Sequence, residues 1–167
     1  MNYLDQPVIS SIRRNHALEH ASLTILSQRN PRLSLAGISF PWGFYVFGEV
    51  DQGELREAVF QGLARLQSGE QALAVHPNCG TNFVASGVVA GLLAWLGLAG
   101  ARDQRQKWER LPLVISLVTL AFIFTRPLGP LLQEKVTTQA EPGSLTVTSI
   151  QPLQLKNMHI HRVSTRG

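Results

Sequence analysis

Between Phe83 and Ala101 the chain runs FVASGVVAGLLAWLGLAGA without one charged side chain, and LPLVISLVTLAFIFT at 111–125 is equally free of charge. The hydrocarbon core of a bilayer, about 30 Å thick, takes roughly 20 apolar residues in a helix. The first run meets that length. The second meets it if it continues past Arg126 to Leu132, with the guanidinium reaching the interface. Two such runs close together predict a transmembrane helical hairpin, with spans at about 83–101 and 111–132. Two core helices of a soluble bundle would rarely avoid polar residues for so long. The opening stretch MNYLDQPVISSIRRNHALEH has no apolar core and is not expected to be a signal peptide.

The average composition conceals this segregation: 44% of residues are hydrophobic and the formal net charge is +4. Residues 1–82 carry six Arg against seven Asp and Glu, so the excess positive charge lies at 102–110 and in the C-terminal segment. That distribution argues against nucleic acid, which would need a basic face on the folded module, and fits charge at a membrane surface. Arg102, Arg105, Lys107 and Arg110 crowd the connection between the runs, and the positive-inside rule would hold that connection on the cytoplasmic side. A single cysteine, Cys79, excludes an intramolecular disulfide framework.

The rest reads as α+β. Asp5 and Pro7 open a helix running to about Gln28, before Asn30-Pro31. Residues 33–50 predict a β-hairpin around the turn Pro41-Trp42-Gly43. Asp51 and Glu54 have capping-box spacing, and the helix they start carries Leu55, Val59, Leu63 and Leu66 on one face before Ser68-Gly69. QALAVH reads as a short strand. The expected division is therefore a mixed α-β-β-α-β module at 1–82, the transmembrane hairpin at 83–132 and a short β-rich tail at 133–167. In the tail, LTVTSI and QLKNMHIHRV are candidate strands of a second hairpin. Within the first span Gly87 and Gly91 form a G-x-x-x-G, which allows close approach of the second span or, alternatively, of a second copy in a homodimer.

The first helix carries the main conflict. His16 and His20 fall on the same three- and four-residue stripe as Ile9, Ile12, Leu23 and Leu26, so a face suited to burial contains two imidazoles. Residues i and i+4 present both rings toward one point, a geometry suited to Zn²⁺. Glu19 can lean toward the same place and act as general base on a metal-bound water. The bland reading is a pair of core histidines bonded to backbone carbonyls.

The loop His76-Pro-Asn-Cys79-Gly-Thr81-Asn82 adds a His and a Cys three apart, either of which could complete a metal site. Cys79 stands at the start of the first apolar helix, where the dipole favours thiolate; a Cys nucleophile with a His base is the rival use, and a simple helix cap by Thr81 or Asn82 the bland one. His159 and His161 alternate on one strand face, but the segment is polar, near the terminus and expected at the surface.

The spelling His16-Ala-Leu-Glu19-His20 resembles the H-x-x-E-H of the inverzincin metallopeptidases, which implies His16 and His20 as zinc ligands and Glu19 as base. The glutamate completing that family's site would fall in the first apolar run, which holds no acid. Over about residues 8–130, RRNHALEHA, FPWGFYVFGEV, HPNCGTN and the two spans resemble a family of uncharacterised two-span membrane proteins found mainly in cyanobacteria. That resemblance implies a plasma- or thylakoid-membrane setting and no activity.

The expected function is a multi-pass, membrane-anchored metalloprotein. Zinc would be held by His16, His20 and Cys79 or His76, with Glu19 as base or orienter, and hydrolysis of a peptide would be the leading reaction. The alternative is a non-enzymatic assembly or scaffolding factor whose aromatic hairpin, Phe40–Phe47, meets a membrane protein partner. A tetrapyrrole held by the same histidines is a third class, without an attachment motif. Convergence of the imidazoles on one point would favour metal. Divergence, or donation to carbonyls, would favour the scaffold.

Overall fold

The computed structural model describes residues 3–155 and 158–167. They form two compact units, Met1–His76 with Gln133–Gly167, and Pro77–Leu132.

In the first unit, helix α1 covers Pro7–Arg29, with proline in its first turn, where an amide donor has no intrahelical partner. It stops at Asn30, because the residue before a proline is disfavoured in helical geometry. The hairpin follows as β1 (Ala36–Phe40) and β2 (Gly43–Phe47). Gly43 turns it with φ +139, and a side chain there would strike the backbone of Val163. Helix α2 (Gln52–Gln67) is capped by Asp51, whose carboxylate accepts the amides of Gly53 and Glu54 at 2.7 and 3.1 Å. At its other end Gly69 adopts φ +94 and the Glu70 amide returns to the Arg65 carbonyl, a Schellman-type stop.

That stop disposes of one expectation. QALAVH does not form a strand; Gln71–Ala74 is a turn of 3-10 helix that buries Leu73 and Ala74. The chain leaves α2 still curling, and its two apolar side chains reach the core within a single turn. The place in the sheet is taken by the C-terminal segment. Strands β3 (Thr146–Leu155) and β4 (Met158–Arg166) form the hairpin expected of the tail, although the predicted second strand, QLKNMHIHRV, is divided between them and its Lys156 and Asn157 lie outside the described residues. The tail is no separate piece: β4 pairs with β2, giving one antiparallel sheet in the order β1-β2-β4-β3.

Helices α1 and α2 pack together and onto this sheet, burying Leu18, Ala21 and Leu26 against Leu55, Val59, Leu63 and Leu66, with Phe44, Val46 and Val163 beneath. Gly62 brings the helices close, since a Cβ there would meet the Ala21 Cβ at 3.1 Å. Alternation along β2 buries Phe44 and Val46 and leaves Tyr45 and Phe47 on the opposite face. The expected one-sided stripe on α1 is too narrow: every residue from Ala17 to Leu23 is buried, whereas Ile9 and Ile12 are only half-buried.

In the second unit, α3 (Gly80–Leu98) packs on α4 (Gln104–Phe124), and α5 (Leu128–Leu132) folds back onto α3. Helix α3 is long and apolar enough to cross a membrane, with a mean hydropathy of 1.6 over its apolar window. Helix α4 meets the same criterion only together with the bent helical continuation beyond Thr125. Small residues mediate the packing, though not those expected. Gly87 and Gly91 face open space, whereas a Cβ on Gly97 would meet Val114 at 3.0 Å and one on Gly129 would overlap the Asn82 amide. The Thr125 hydroxyl bonds that of Ser86 at 2.8 Å. The basic connection is also shorter than expected. Asp103 accepts the Gln106 amide at 2.8 Å and starts α4, so Arg105, Lys107 and Arg110 ride on its first turns.

Candidate metal centre

Helix α1 is registered on the sheet by Asn15. Its fully buried amide donates to the Phe40 carbonyl at 2.8 Å, and its oxygen accepts the Thr165 hydroxyl at 2.7 Å. One residue further round, His16 and His20 stand on successive turns with ring centroids 4.2 Å apart. His16 Nδ1 bonds the Thr137 carbonyl at 3.0 Å, and His20 Nδ1 the Ala74 carbonyl at 2.7 Å.

Those bonds determine the tautomers. A carbonyl oxygen accepts and cannot donate, so Nδ1 carries the proton in both rings and Nε2 is the basic nitrogen when the ring is neutral. A metal-ligating histidine characteristically presents this arrangement, donating one ring N–H to a carbonyl and offering the other nitrogen to the ion. Convergence and donation to carbonyls, which sequence reasoning set against each other, occur together because they engage different nitrogens.

His76 ends the first unit's N-terminal part, its ring 5.7 Å from that of His20. Its backbone is clamped by the fully buried Gln133, whose side-chain oxygen accepts the His76 amide at 2.8 Å while its nitrogen donates to the His76 carbonyl at 3.1 Å. Burial, then the charge of His20, pushes the His76 imidazole below its ordinary value, toward the neutral form that binds metal.

Glu19 is buried and turned toward the sheet. Its carboxylate accepts the Ser39 hydroxyl at 2.6 Å and lies over Gly37, where a Cβ would overlap it. Burial raises its pKa, opposed by the Ser39 hydrogen bond and by His16. In the second unit, Cys79 caps α3, its sulfur accepting the Thr81 amide at 3.4 Å, so the cysteine itself takes the capping position considered for Thr81 or Asn82. Asn82 instead donates to the Pro77 carbonyl at 2.6 Å. Two residues, Pro77 and Asn78, separate Cys79 from His76.

Among the described residues, His159 and His161 gather no third ligand. His159 is exposed, with Nε2 3.9 Å from Glu49. His161 departs from its expected surface position: it is 6% exposed, facing the core side of β4 opposite Val46. The C-terminal segment is interior strand, which its polar sequence conceals.

Sequence reasoning missed Asn15, Ser39 and Gln133 and the carbonyls of Ala74 and Thr137. Gly37 inside a strand pattern was a usable sign of close approach. Nothing local to Gln133 points to a partner 57 residues away.

Residues 11–150 match the family described as "Domain of unknown function (DUF6391)". An uncharacterized protein of Picosynechococcus is 38% identical, over 84% of this chain and 71% of its own length. No solved structure matches.

Proposed function

This chain belongs to the family described as Domain of unknown function (DUF6391), and from that premise we propose that it is a membrane-anchored metalloprotein in which His16, His20 and Cys79 hold a zinc ion. The carrying observation is the pair of imidazoles on adjacent turns, ring centroids 4.2 Å apart, each bonded through Nδ1 to a carbonyl so that Nε2 is the basic nitrogen of the neutral ring. Cys79, three positions beyond His76, supplies the third ligand in this reading. Two nitrogens and a thiolate are a donor set that suits zinc, and three protein ligands leave a position for water or substrate. His76 flanks the site and is the substitute third ligand.

The reaction class we assign is hydrolysis at that open position, with water as nucleophile. Glu19 orients the site in this reading: held by Ser39 and acting electrostatically on His16, it steadies the ligand helix. Acting as base would require it to leave Ser39. The apolar helices α3 and α4 serve as the membrane anchor, consistent with exposed Phe83, Val84, Val88, Leu92 and Trp95 on α3 and exposed Ile115, Phe122 and Ile123 on α4.

Elemental analysis of purified protein tests the reading. Zinc near one equivalent per chain is expected in the wild type, and loss is expected in His16→Ala/His20→Ala. A wild type without any bound transition metal refutes it. The Nδ1–carbonyl bonds also favour a second reading, a scaffolding factor in which the histidines satisfy buried backbone. It predicts a metal-free protein with its aromatic surface, Phe40 stacked on Trp42 and edge-on to Tyr45, meeting a partner.

A further inference from the structure

The end of the second unit where α3 passes into α4 combines three features. Leu98, Trp108 and Leu111 wall a groove of about 170 Å³, with Gln104 and Lys107 also lining it. Trp108 is 65% exposed, although its ring is large and apolar. Of the four cations between residues 102 and 110 (Arg102, Arg105, Lys107 and Arg110), Lys107 lines the groove itself, and that stretch holds only two acids, Asp103 and Glu109.

The hydrogen bonds show which of these charges are available. Arg110 is spent on the last carbonyls of α3, donating to Ala99 and, at 3.5 Å, to Gly97. Arg105 pairs with Glu109 at 3.0 Å. The Asp103 carboxylate is occupied by Gln106, through its backbone amide at 2.8 Å and its side chain at 3.3 Å. Among the described residues, the Arg102 guanidinium and the Lys107 ammonium have no side-chain partner, and both residues are exposed.

We infer that this groove seats an anionic phospholipid, its acyl chain against Leu98, Trp108 and Leu111 and its phosphate at Lys107 and Arg102. The ligand must be amphipathic, because the walls are apolar and the rim is cationic. It must be anionic, because two cations there lack counter-charges. A zwitterionic headgroup would bring its own ammonium against them. Tryptophan and basic side chains are also the residues that favour the headgroup level of a bilayer. The inference rests on the anchoring role given above to α3 and α4.

The test is tryptophan quenching with the full chain reconstituted in phosphatidylcholine vesicles containing phosphatidylglycerol. Trp42→Phe and Trp95→Phe leave Trp108 as the sole reporter. At equal mole fraction, brominated phosphatidylglycerol is expected to quench Trp108 several-fold more effectively than brominated phosphatidylcholine. Arg102→Gln and Lys107→Gln, both at exposed positions, should each reduce that preference about five-fold at low salt. Equal quenching by the two lipids, or a preference that survives both substitutions, overturns the lipid seat and leaves the anchor intact. Quenching by neither lipid, with failure of the protein to float with the vesicles, overturns the anchor and the seat together.

Discussion

The Glu19 carboxylate occupies the space that any side chain on residue 37 would need, with Oε1 2.2 Å from the position of a Cβ built on Gly37. A buried acid on α1 is thereby docked onto an edge strand, and Ser39 supplies its hydrogen bond from the same strand. Gly37→Ala is expected to push the carboxylate out of this seat and destabilise the protein by about 1–3 kcal/mol. Urea denaturation measures it. A midpoint equal to wild type would show that the seat has no energetic weight.

Cobalt substitution separates the candidate ligands. If sulfur coordinates, the cobalt-loaded protein should absorb in the near-ultraviolet through thiolate-to-metal charge transfer, and Cys79→Ser should abolish that band while His76→Ala retains it. A cobalt-loaded protein without that band, from which His76→Ala removes the metal, assigns the third ligand to His76.

Gln133 holds both backbone groups of His76. Gln133→Leu leaves that amide and carbonyl without this partner, at an expected cost of about 2–4 kcal/mol for the two groups. Where His76 rather than Cys79 completes the site, zinc affinity should also fall 10- to 100-fold, as expected for a residue that positions a ligand without touching the ion. Calorimetry and competition with a chromophoric chelator measure the two effects, and an unchanged zinc affinity would exclude His76 from the site.

The stability profile should bear the mark of His161. Burial, then His159, holds its pKa below the ordinary 6.5, and Asp51 opposes the shift. As pH falls through 6.5 the unfolded chain takes up a proton that the folded imidazole still refuses. Stability is therefore lost from that point downward, by at most about 1.4 kcal/mol per pH unit, and levels off below the folded value. In His161→Gln this component should vanish, so that the denaturation midpoint falls less steeply between about pH 7 and pH 5. An identical slope in the two proteins would refute the assignment.

In the helical hairpin the glycines should divide by position. Gly97→Leu forces a side chain against Val114 and Leu117, with an expected loss of about 1–3 kcal/mol. Gly87→Leu and Gly91→Leu enter open space and should leave the hairpin's thermal stability in detergent unchanged. Equal losses at all three would mean that the G-x-x-x-G is packed after all.

Much of this architecture was legible from local rules. Pro7, Asp51 and Gly69 punctuate the helices as their chemistry requires, because a cap or a left-handed residue acts on its immediate neighbours. The i, i+4 spacing of His16 and His20 likewise carries its own geometry. What stayed hidden depends on distant partners. The position of β4 between β2 and β3 cannot be read from its polar sequence, and the bonds to Ala74, Thr137 and Gln133 exist only after the ends of the chain meet. Glu19 turned toward the sheet because a missing Cβ at residue 37 made room there, and helix periodicity alone carries no such information.

The insertion of β4 between β2 and β3 has a consequence for biosynthesis. Until Met158–Arg166 has been synthesised, β2 exposes an unpaired edge, so a nascent chain already displaying α1 and α2 lacks the strand that completes its sheet. Termination between residues 132 and 158 would release a protein with both apolar helices made and the sheet unfinished, a natural substrate for quality-control proteolysis.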